Sequence, residues 1–322
     1  MQDKQILITG GAGFIGTHLA ERLSKHSKVV LFDSFRRDSL SFVPSLKENS
    51  NVRVVSGDVL DPLSIRDALE DVDTVIHLAA IAGVSSYYKE SLQTLRVNIL
   101  GTSNVLEEAA KQKIDKFIHF STSEIYGSNA LWVDEESLHQ IGSVSDRRWV
   151  YATSKLAGEN FSLRYAEAFD FACTTVRPFN IYGPRQVGEG AISNFCRAIL
   201  NEQPMSIYGD GSAIRAWCYI SDLVDAVEMI LQTPEAAGQA FNIGNPSAVT
   251  TTLGLAQQLA RIIPQAKIEY KDVKRAEVKA RIPCIDKARQ LLGYRPKVDL
   301  ETGLTQTFKW FENQKAQGER QS

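Results

Sequence analysis

Tyr151 and Lys155 stand four residues apart in the segment VYATSK, a spacing that puts both side chains on one face of a helix. A phenol is a poor base at its ordinary pKa of about 10. An ammonium beside it stabilises the phenolate and lowers that value, so the pair could take a proton from a substrate hydroxyl. The spacing alone also fits a surface tyrosine beside a lysine. Residues 121–127, STSEIYG, argue for the first reading. Thr122 could hydrogen-bond the same substrate oxygen, and Ser123 and Glu124 follow at once. Consecutive polar residues at the end of the apolar run 116–120 are hard to justify by packing, although any one of them fits a hydroxyl-rich turn.

Such residues need elements to hold them. Residues 5–16, QILITGGAGFIG, give the first. Ile6, Leu7 and Ile8 read as a buried central strand. Gly10, Gly13 and Gly16 follow, and an amphipathic stretch opens at Phe14 and Ile15 and runs to about residue 25. Strand, glycine turn and helix suit a dinucleotide whose pyrophosphate sits on backbone N–H groups at a helix N-terminus. Gly10 permits the tight turn, Gly13 lets phosphates approach, and Gly16 lets the helix pack against the strand. A second apolar run, 29–32, ends in Asp33, near the ~20-residue spacing of a carboxylate that binds the adenosine ribose. An acid there favours NAD over NADP. Arg36 and Arg37 lie just beyond and could receive a 2′-phosphate; Asp33 could also simply cap a loop. With a dinucleotide in place, its oxidised nicotinamide would join the ammonium in lowering the Tyr151 pKa, hydride could leave for NAD as Tyr151 takes the hydroxyl proton, and Lys155 could hydrogen-bond the nicotinamide ribose.

Strands and helices alternate through the first half. Strands are expected at 52–56, 74–78, 116–121 and 173–176, with helices from Pro62, over 88–111 and over 151–168. This predicts an α/β fold with a Rossmann-type doubly wound parallel sheet and ligands at its C-terminal strand ends. His77 lies inside an apolar strand and reads as a packed core histidine. Leu78, Ala79, Ala80 and Ala82 suit a loop lying close to a ligand. Asn98, a poor helix-interior residue, either binds something or faces solvent. Residues 177–186, RPFNIYGPRQ, read as a loop. Beyond it a smaller C-terminal α/β substrate-binding lobe is expected. It holds a helix near 192–200, strands at 206–208 and 215–220, and a helix at 223–231. The domains are 1–177 and 178–322, with segments near 215–245, FNIG at 241–244 among them, returning to the first. A final helix near 304–311 precedes a polar tail, 312–322, expected to be mobile.

Composition narrows the function. The 322 residues are 43% apolar and 23% charged with a net charge of −2, which is ordinary for a globular protein and carries no nucleic-acid signal. The four cysteines form no CxxC pair, which argues against a disulfide framework or a metal site and fits a reducing cytoplasm. No apolar run approaches the ~20 residues that span a membrane. The first strand begins too early to leave room for a signal peptide.

Taken together, TGGAGFIG, HLAA, STSEIYG, YATSK, RPFNIYGPRQ and IRAWCYISDL resemble the extended short-chain dehydrogenase/reductase family, specifically its NAD-dependent nucleotide-sugar epimerases and dehydratases. The resemblance implies that Thr122, Tyr151 and Lys155 form the catalytic triad. It implies that Asp58 and Val59 flank the adenine and that Asn98 supports the site. Asn180 would reach a sugar diphosphate, Arg215 a diphosphate or acidic sugar group, and Arg185 negative charge. It also implies a homodimer formed through helices 88–111 and 151–168, and oxidation of the sugar to a 4-keto sugar followed by a second step. The motifs beyond residue 177 favour a UDP-sugar 4-epimerase, with UDP-glucuronate as a candidate substrate. Glu124 is the objection, since 4-epimerases typically lack an acid there. TSE and RRWVYATSK are similar to UDP-glucuronate decarboxylases, and a threonine–acid–glutamate run, here with Ser123 in the middle, to 4,6-dehydratases. A non-catalytic dinucleotide sensor would tend to lose Tyr151 or Lys155, and both are present.

Overall fold

The computed structural model describes residues 4–272 and 278–321. Its centre is a seven-stranded, wholly parallel sheet in the order β12-β7-β5-β4-β1-β2-β3. The strands are β1 Gln5–Thr9, β2 Lys28–Asp33, β3 Val52–Ser56, β4 Thr74–His77, β5 Lys116–Phe120, β7 Ala172–Pro178 and β12 Ala240–Ile243; β6 Asn129–Val133 lies elsewhere. Alternation along the strands divides the core in two. Leu7, Val30, Val75 and Phe117 face one layer, while Ile6, Ile8, Leu31, Ile76 and Ile118 face the other. Both faces are covered, which is why these strands read as continuous apolar runs.

One layer holds α1 Phe14–Leu23, α2 Pro44–Glu48, α8 Ala191–Leu200 and α9 Ile220–Gln232; the other holds α3 Pro62–Ala68, α4 Val84–Lys89, α5 Ser91–Leu95, α6 Thr102–Lys111 and α7 Val150–Phe169. The single helix expected over 88–111 is thus interrupted. A turn of π-helix, Arg96–Gly101, separates α5 from α6 and buries Asn98. Wide turns of this kind are rare and concentrate at functional sites.

The remaining strands and helices build the smaller region. β10 Ile214–Ala216 lies between β13 Val249–Thr251 and β15 Ala280–Pro283, and β15 pairs in turn with β6, which comes from within the first 177 residues. The strand expected over 215–220 breaks at Trp217: β11, Cys218–Tyr219, pairs instead with β8, Ile181–Tyr182, a short strand inside the expected loop. β9 Met205–Tyr208 pairs with β14 Ile268–Lys271. Helices α10 Thr252–Ile262 and α11 Asp286–Leu292 complete the region. The polar tail expected to be mobile is helical as far as Gln321. α12 runs Leu300–Gln321, anchored by Leu304, Phe308 and Phe311, and the Lys315 ammonium donates to the Leu200 carbonyl.

Candidate active site

The C-terminal ends of β1 and β4 part where the strand order reverses, and a cleft of about 440 Å³ opens there, as expected for open α/β sheets. Gly10, Gly13, Phe14, Ile15 and Gly16 line one end; Asp33, Asp58 and Val59 flank it; Leu78, Ala79 and Ala80 form a wall; Tyr151 and Lys155 close the far end. Two glycines are required by geometry. Gly10 has φ +70°, and a Cβ on it would stand 2.8 Å from the Ala79 nitrogen. A Cβ on Gly16 would stand 2.6 Å from the Gly11 carbonyl oxygen. Gly13 caps α1 without a side chain, and Thr17 N–H to the Gly13 carbonyl is the first bond of the helix (3.0 Å). The amides of Phe14, Ile15 and Gly16 therefore lack intrahelical partners and form a seat for an anion.

Asp33 fastens this end. Its carboxylate accepts from Ala12 N–H (3.0 Å) and Phe35 N–H (2.8 Å); burial pushes its pKa up and these amides pull it back. The two neighbouring cations are engaged elsewhere. Arg36 pairs with Glu90 at 2.7 Å, and Arg37 donates to the Ala82 carbonyl and Ser86 Oγ.

At the other end β5 delivers Ser121 and Thr122, and Thr122 Oγ1 caps a 3-10 turn, Ser123–Tyr126, by accepting from Glu124 N–H (3.2 Å). Ser123 is buried in that turn. The first turn of α7 brings Tyr151 to Thr122, whose side chain hydrogen-bonds the phenol. From the side chains alone the expected lowering of the Tyr151 pKa by Lys155 is not seen. The Lys155 ammonium donates to the Phe120 carbonyl at 2.7 Å, burial takes its pKa down to about 8, and burial with the Glu124 charge pushes Tyr151 up, against the Thr122 bond. The protein's own side chains thus favour the neutral phenol of Tyr151, whose ring stacks 6.0 Å from Tyr87.

Glu124 is held differently from a group poised to trade protons. Arg148 Nη2 lies 2.6 Å from one carboxylate oxygen and Arg281 Nη1 2.6 Å from the other. Burial opposes its charge, but the two guanidiniums win and hold its pKa at about 2. Arg148 also bonds the Tyr87 hydroxyl. Neither arginine stood out as a site residue in the sequence. Arg148 lies three residues before Tyr151, a visible signal, whereas Arg281 arrives on β15 from 157 residues away and nothing local marks it.

Asn98 neither faces solvent nor lines the cleft: its amide bonds Ile81 N–H, the Ile81 carbonyl and Ser154 Oγ. The three residues expected to meet substrate do not line the cleft either. Asn180 donates to the Ala216 carbonyl, Arg185 turns to Glu21 on α1 (2.6 Å), and Arg215 donates to the Ile214 and Val278 carbonyls. Arg215 is nonetheless the register partner of Arg281.

A family model described as the NAD dependent epimerase/dehydratase family matches residues 6–244. The chain belongs to this family. Among curated relatives, the UDP-N-acetyl-alpha-D-glucosaminuronate decarboxylase of Bacillus cytotoxicus is 34% identical over 96% of this chain and 98% of its own. UDP-glucuronic acid decarboxylase 4 of Arabidopsis thaliana is 34% identical over 93% of this chain and 67% of its own. Among solved structures, the UDP-glucuronic acid 4-epimerase of Bacillus cereus, in complex with UDP-glucuronic acid and NAD, superposes with a TM-score of 0.89 at 32% identity, covering 96% of this chain and 99% of that one. As a family member the chain is an NAD-dependent enzyme of the epimerase/dehydratase kind. The cleft has what such a cofactor needs: uncapped α1 amides that could seat the pyrophosphate, a carboxylate at the end of β2 that could meet the ribose, and room at the Tyr151–Lys155 end that could take the nicotinamide.

Proposed function

We propose that the enzyme oxidises C4 of a UDP-hexuronate and then releases the C6 carboxylate as CO₂. The observation that carries this reading is the buried group of Glu124, Arg148 and Arg281, two guanidiniums against one carboxylate, near enough to Tyr151 to affect its pKa. A group with one unbalanced positive charge out of water favours an anionic ligand. A sugar acid supplies that anion; a neutral hexose does not. A 4,6-dehydratase would need Glu124 to exchange protons with the sugar, and an acid held at about 2 is a poor base.

Bound NAD supplies the hydride acceptor that makes C4 a ketone and the donor that reduces it again. As the phenolate that the positive charge of oxidised NAD would favour, its own proton lost to solvent, Tyr151 would take the O4 proton, with Thr122 aligning it. With C4 a ketone, the C6 carboxylate stands β to a carbonyl. Arg148 and Arg281 orient it, and Glu124 sets a fixed negative charge beside it. The C5–C6 bond breaks, CO₂ leaves, and its electron pair passes into the C5–C4–O enolate, which Tyr151 and Thr122 can hydrogen-bond. C5 takes a proton from water, and Tyr151 returns a proton to O4.

The test is incubation with UDP-glucuronate, UDP-N-acetylglucosaminuronate and UDP-glucose, with products identified by mass and NMR. Loss of CO₂ supports the reading; loss of water, or turnover of UDP-glucose in preference to the acids, overturns it. Unchanged mass with C4 inverted supports the second reading, a UDP-uronate 4-epimerase, which the motifs beyond residue 177 and the likeness to the Bacillus cereus 4-epimerase favour.

Two coarser features accompany this proposal. A second copy of the chain would cover the exposed Leu92, Leu100, Phe161 and Phe169 on α5, the π turn and α7; light scattering of the protein and of Phe161→Glu checks it. Among the described residues no helix is long and apolar enough to cross a membrane. Cys173, Cys196 and Cys218 are free and buried, which supports a reducing cytoplasm as the working compartment.

A further inference from the structure

Thr9, His77, Thr102, Asn98 and Ser154 are all buried, come from distant parts of the chain, and bond in an unbroken series. Ala79 N–H donates to Thr9 Oγ1 at 3.3 Å, and Thr9 Oγ1 lies 2.7 Å from His77 Nδ1. His77 Nε2 lies 2.9 Å from Thr102 Oγ1, which donates to the Asn98 carbonyl at 2.7 Å. The Asn98 amide donates to Ser154 Oγ at 3.0 Å, and Ser154 Oγ donates to the Tyr151 carbonyl at 2.8 Å.

The direction of every bond follows from counting protons. A hydroxyl carries one, and Thr102 gives its proton to the Asn98 carbonyl. His77 Nε2 must therefore bring the proton to Thr102, which leaves Nδ1 bare to accept from Thr9. The ring is neutral, since burial and the Lys155 charge take its pKa down to about 3. His119 only stacks against it, at 5.9 Å, and the two ring nitrogens of His77 are engaged by Thr9 and Thr102.

The two ends of the series are the two halves of the site. Thr9 precedes Gly10, and the Ala79 nitrogen is the atom against which Gly10 has no room for a Cβ. Ser154 stands between Tyr151 and Lys155 on α7. The π turn places Asn98 so that its carbonyl meets Thr102 and its amide meets Ser154. We propose that His77 is a positioning residue: as the Nε2–H tautomer it ties the dinucleotide turn to the helix of Tyr151 and Lys155 and keeps hydride acceptor and proton acceptor in one register. The packed core histidine of the sequence reading is thus also a directional link.

The first test needs no substrate. In the ¹⁵N-histidine-labelled NAD-loaded protein, NMR finds one ring with a protonated Nε2 and a bare Nδ1, unchanged from about pH 8 to about pH 5 and absent from His77→Gln. An Nδ1–H tautomer, or titration with the ordinary histidine pKa, overturns the proposal. The second test is kinetic and rests on the substrate reading above. His77→Gln keeps a donor toward Thr102 and loses the acceptor for Thr9; His77→Asn does the reverse. Each lowers kcat for UDP-glucuronate by about ten- to a hundredfold while KM stays within about twofold. Thr102→Val, which preserves volume, gives the same loss, and combining it with His77→Gln adds little. Unchanged kcat in all three variants, with only a lower melting temperature, overturns the positioning role. If the unaltered enzyme does not turn over UDP-glucuronate, the substrate reading fails and the tautomer measurement alone decides His77.

Discussion

At the Gly10 end of the cleft the protein works with backbone. The cradle itself lies within residues 10–16 with Ala79 against it, and its fit depends on the lack of a Cβ at Gly10 and Gly16 and on unpaired amides at the start of α1. Behind Tyr151, around Glu124 and outside the lining of the cleft, it works with charge. Residues 124, 148 and 281 reach one another from three segments, and each oxygen of Glu124 meets a guanidinium. Backbone donors keep the same charge at any pH and suit a cofactor that stays through the cycle. The Glu124 group, two guanidiniums on one carboxylate, titrates and so depends on pH. Tyr151 sits where the two meet, near both the glycine-loop cleft and Glu124.

Substitutions can break each end separately. Tyr151→Phe removes the proton acceptor alone, so kcat should fall about a thousandfold with NAD content unchanged, read by product formation and by cofactor released on denaturation. Glu124→Gln leaves two guanidiniums buried without their partner and should cost about 3–5 kcal/mol of stability, measured by denaturant unfolding, with NAD still bound. Gly10→Ala combines a left-handed φ with a 2.8 Å clash against Ala79; a strain of about 1–3 kcal/mol should appear as loss of NAD on purification, with the acid stability of the Glu124 group intact.

The pH dependence sharpens the contrast. Glu124 titrates at about 2 in the folded protein against an ordinary 4.5. Its folded pKa is depressed, so its contribution to stability is complete above 4.5 and is lost as pH falls from there toward 2. The melting temperature of the unaltered protein should therefore drop over that window relative to Glu124→Gln. The smallest expected effect is Asp33→Asn. The change removes the negative charge beside the ribose site but keeps an oxygen for Ala12 N–H, and it should narrow the preference for NAD over NADP by about tenfold, measured by cofactor titration.

The cofactor end was legible because its signals are local. A strand needs an apolar run, a tight turn needs glycine, and both lie within twelve residues. The Tyr151–Lys155 pair was legible for the same reason, since helical periodicity alone puts them on one face. What Lys155 touches was not, because the Phe120 carbonyl approaches it across the sheet. The break in the helix over 88–111 left one trace, Asn98 in an apolar stretch, but its partners Ile81 and Ser154 belong to other elements. Arg185 sits in a motif-rich loop, and only the packing of that loop over α1 turned it to Glu21.

By itself the sequence determined the dinucleotide cradle and the presence of a phenol and an amine one helical turn apart, because steric and hydrogen-bonding rules along the backbone reach only a few residues. Only the tertiary structure decided which charges meet. The register of β6, β15 and β10 carries Arg281 to Glu124 across 157 residues. Charge partners form wherever folding brings opposite signs together out of water, and chain distance carries no record of that.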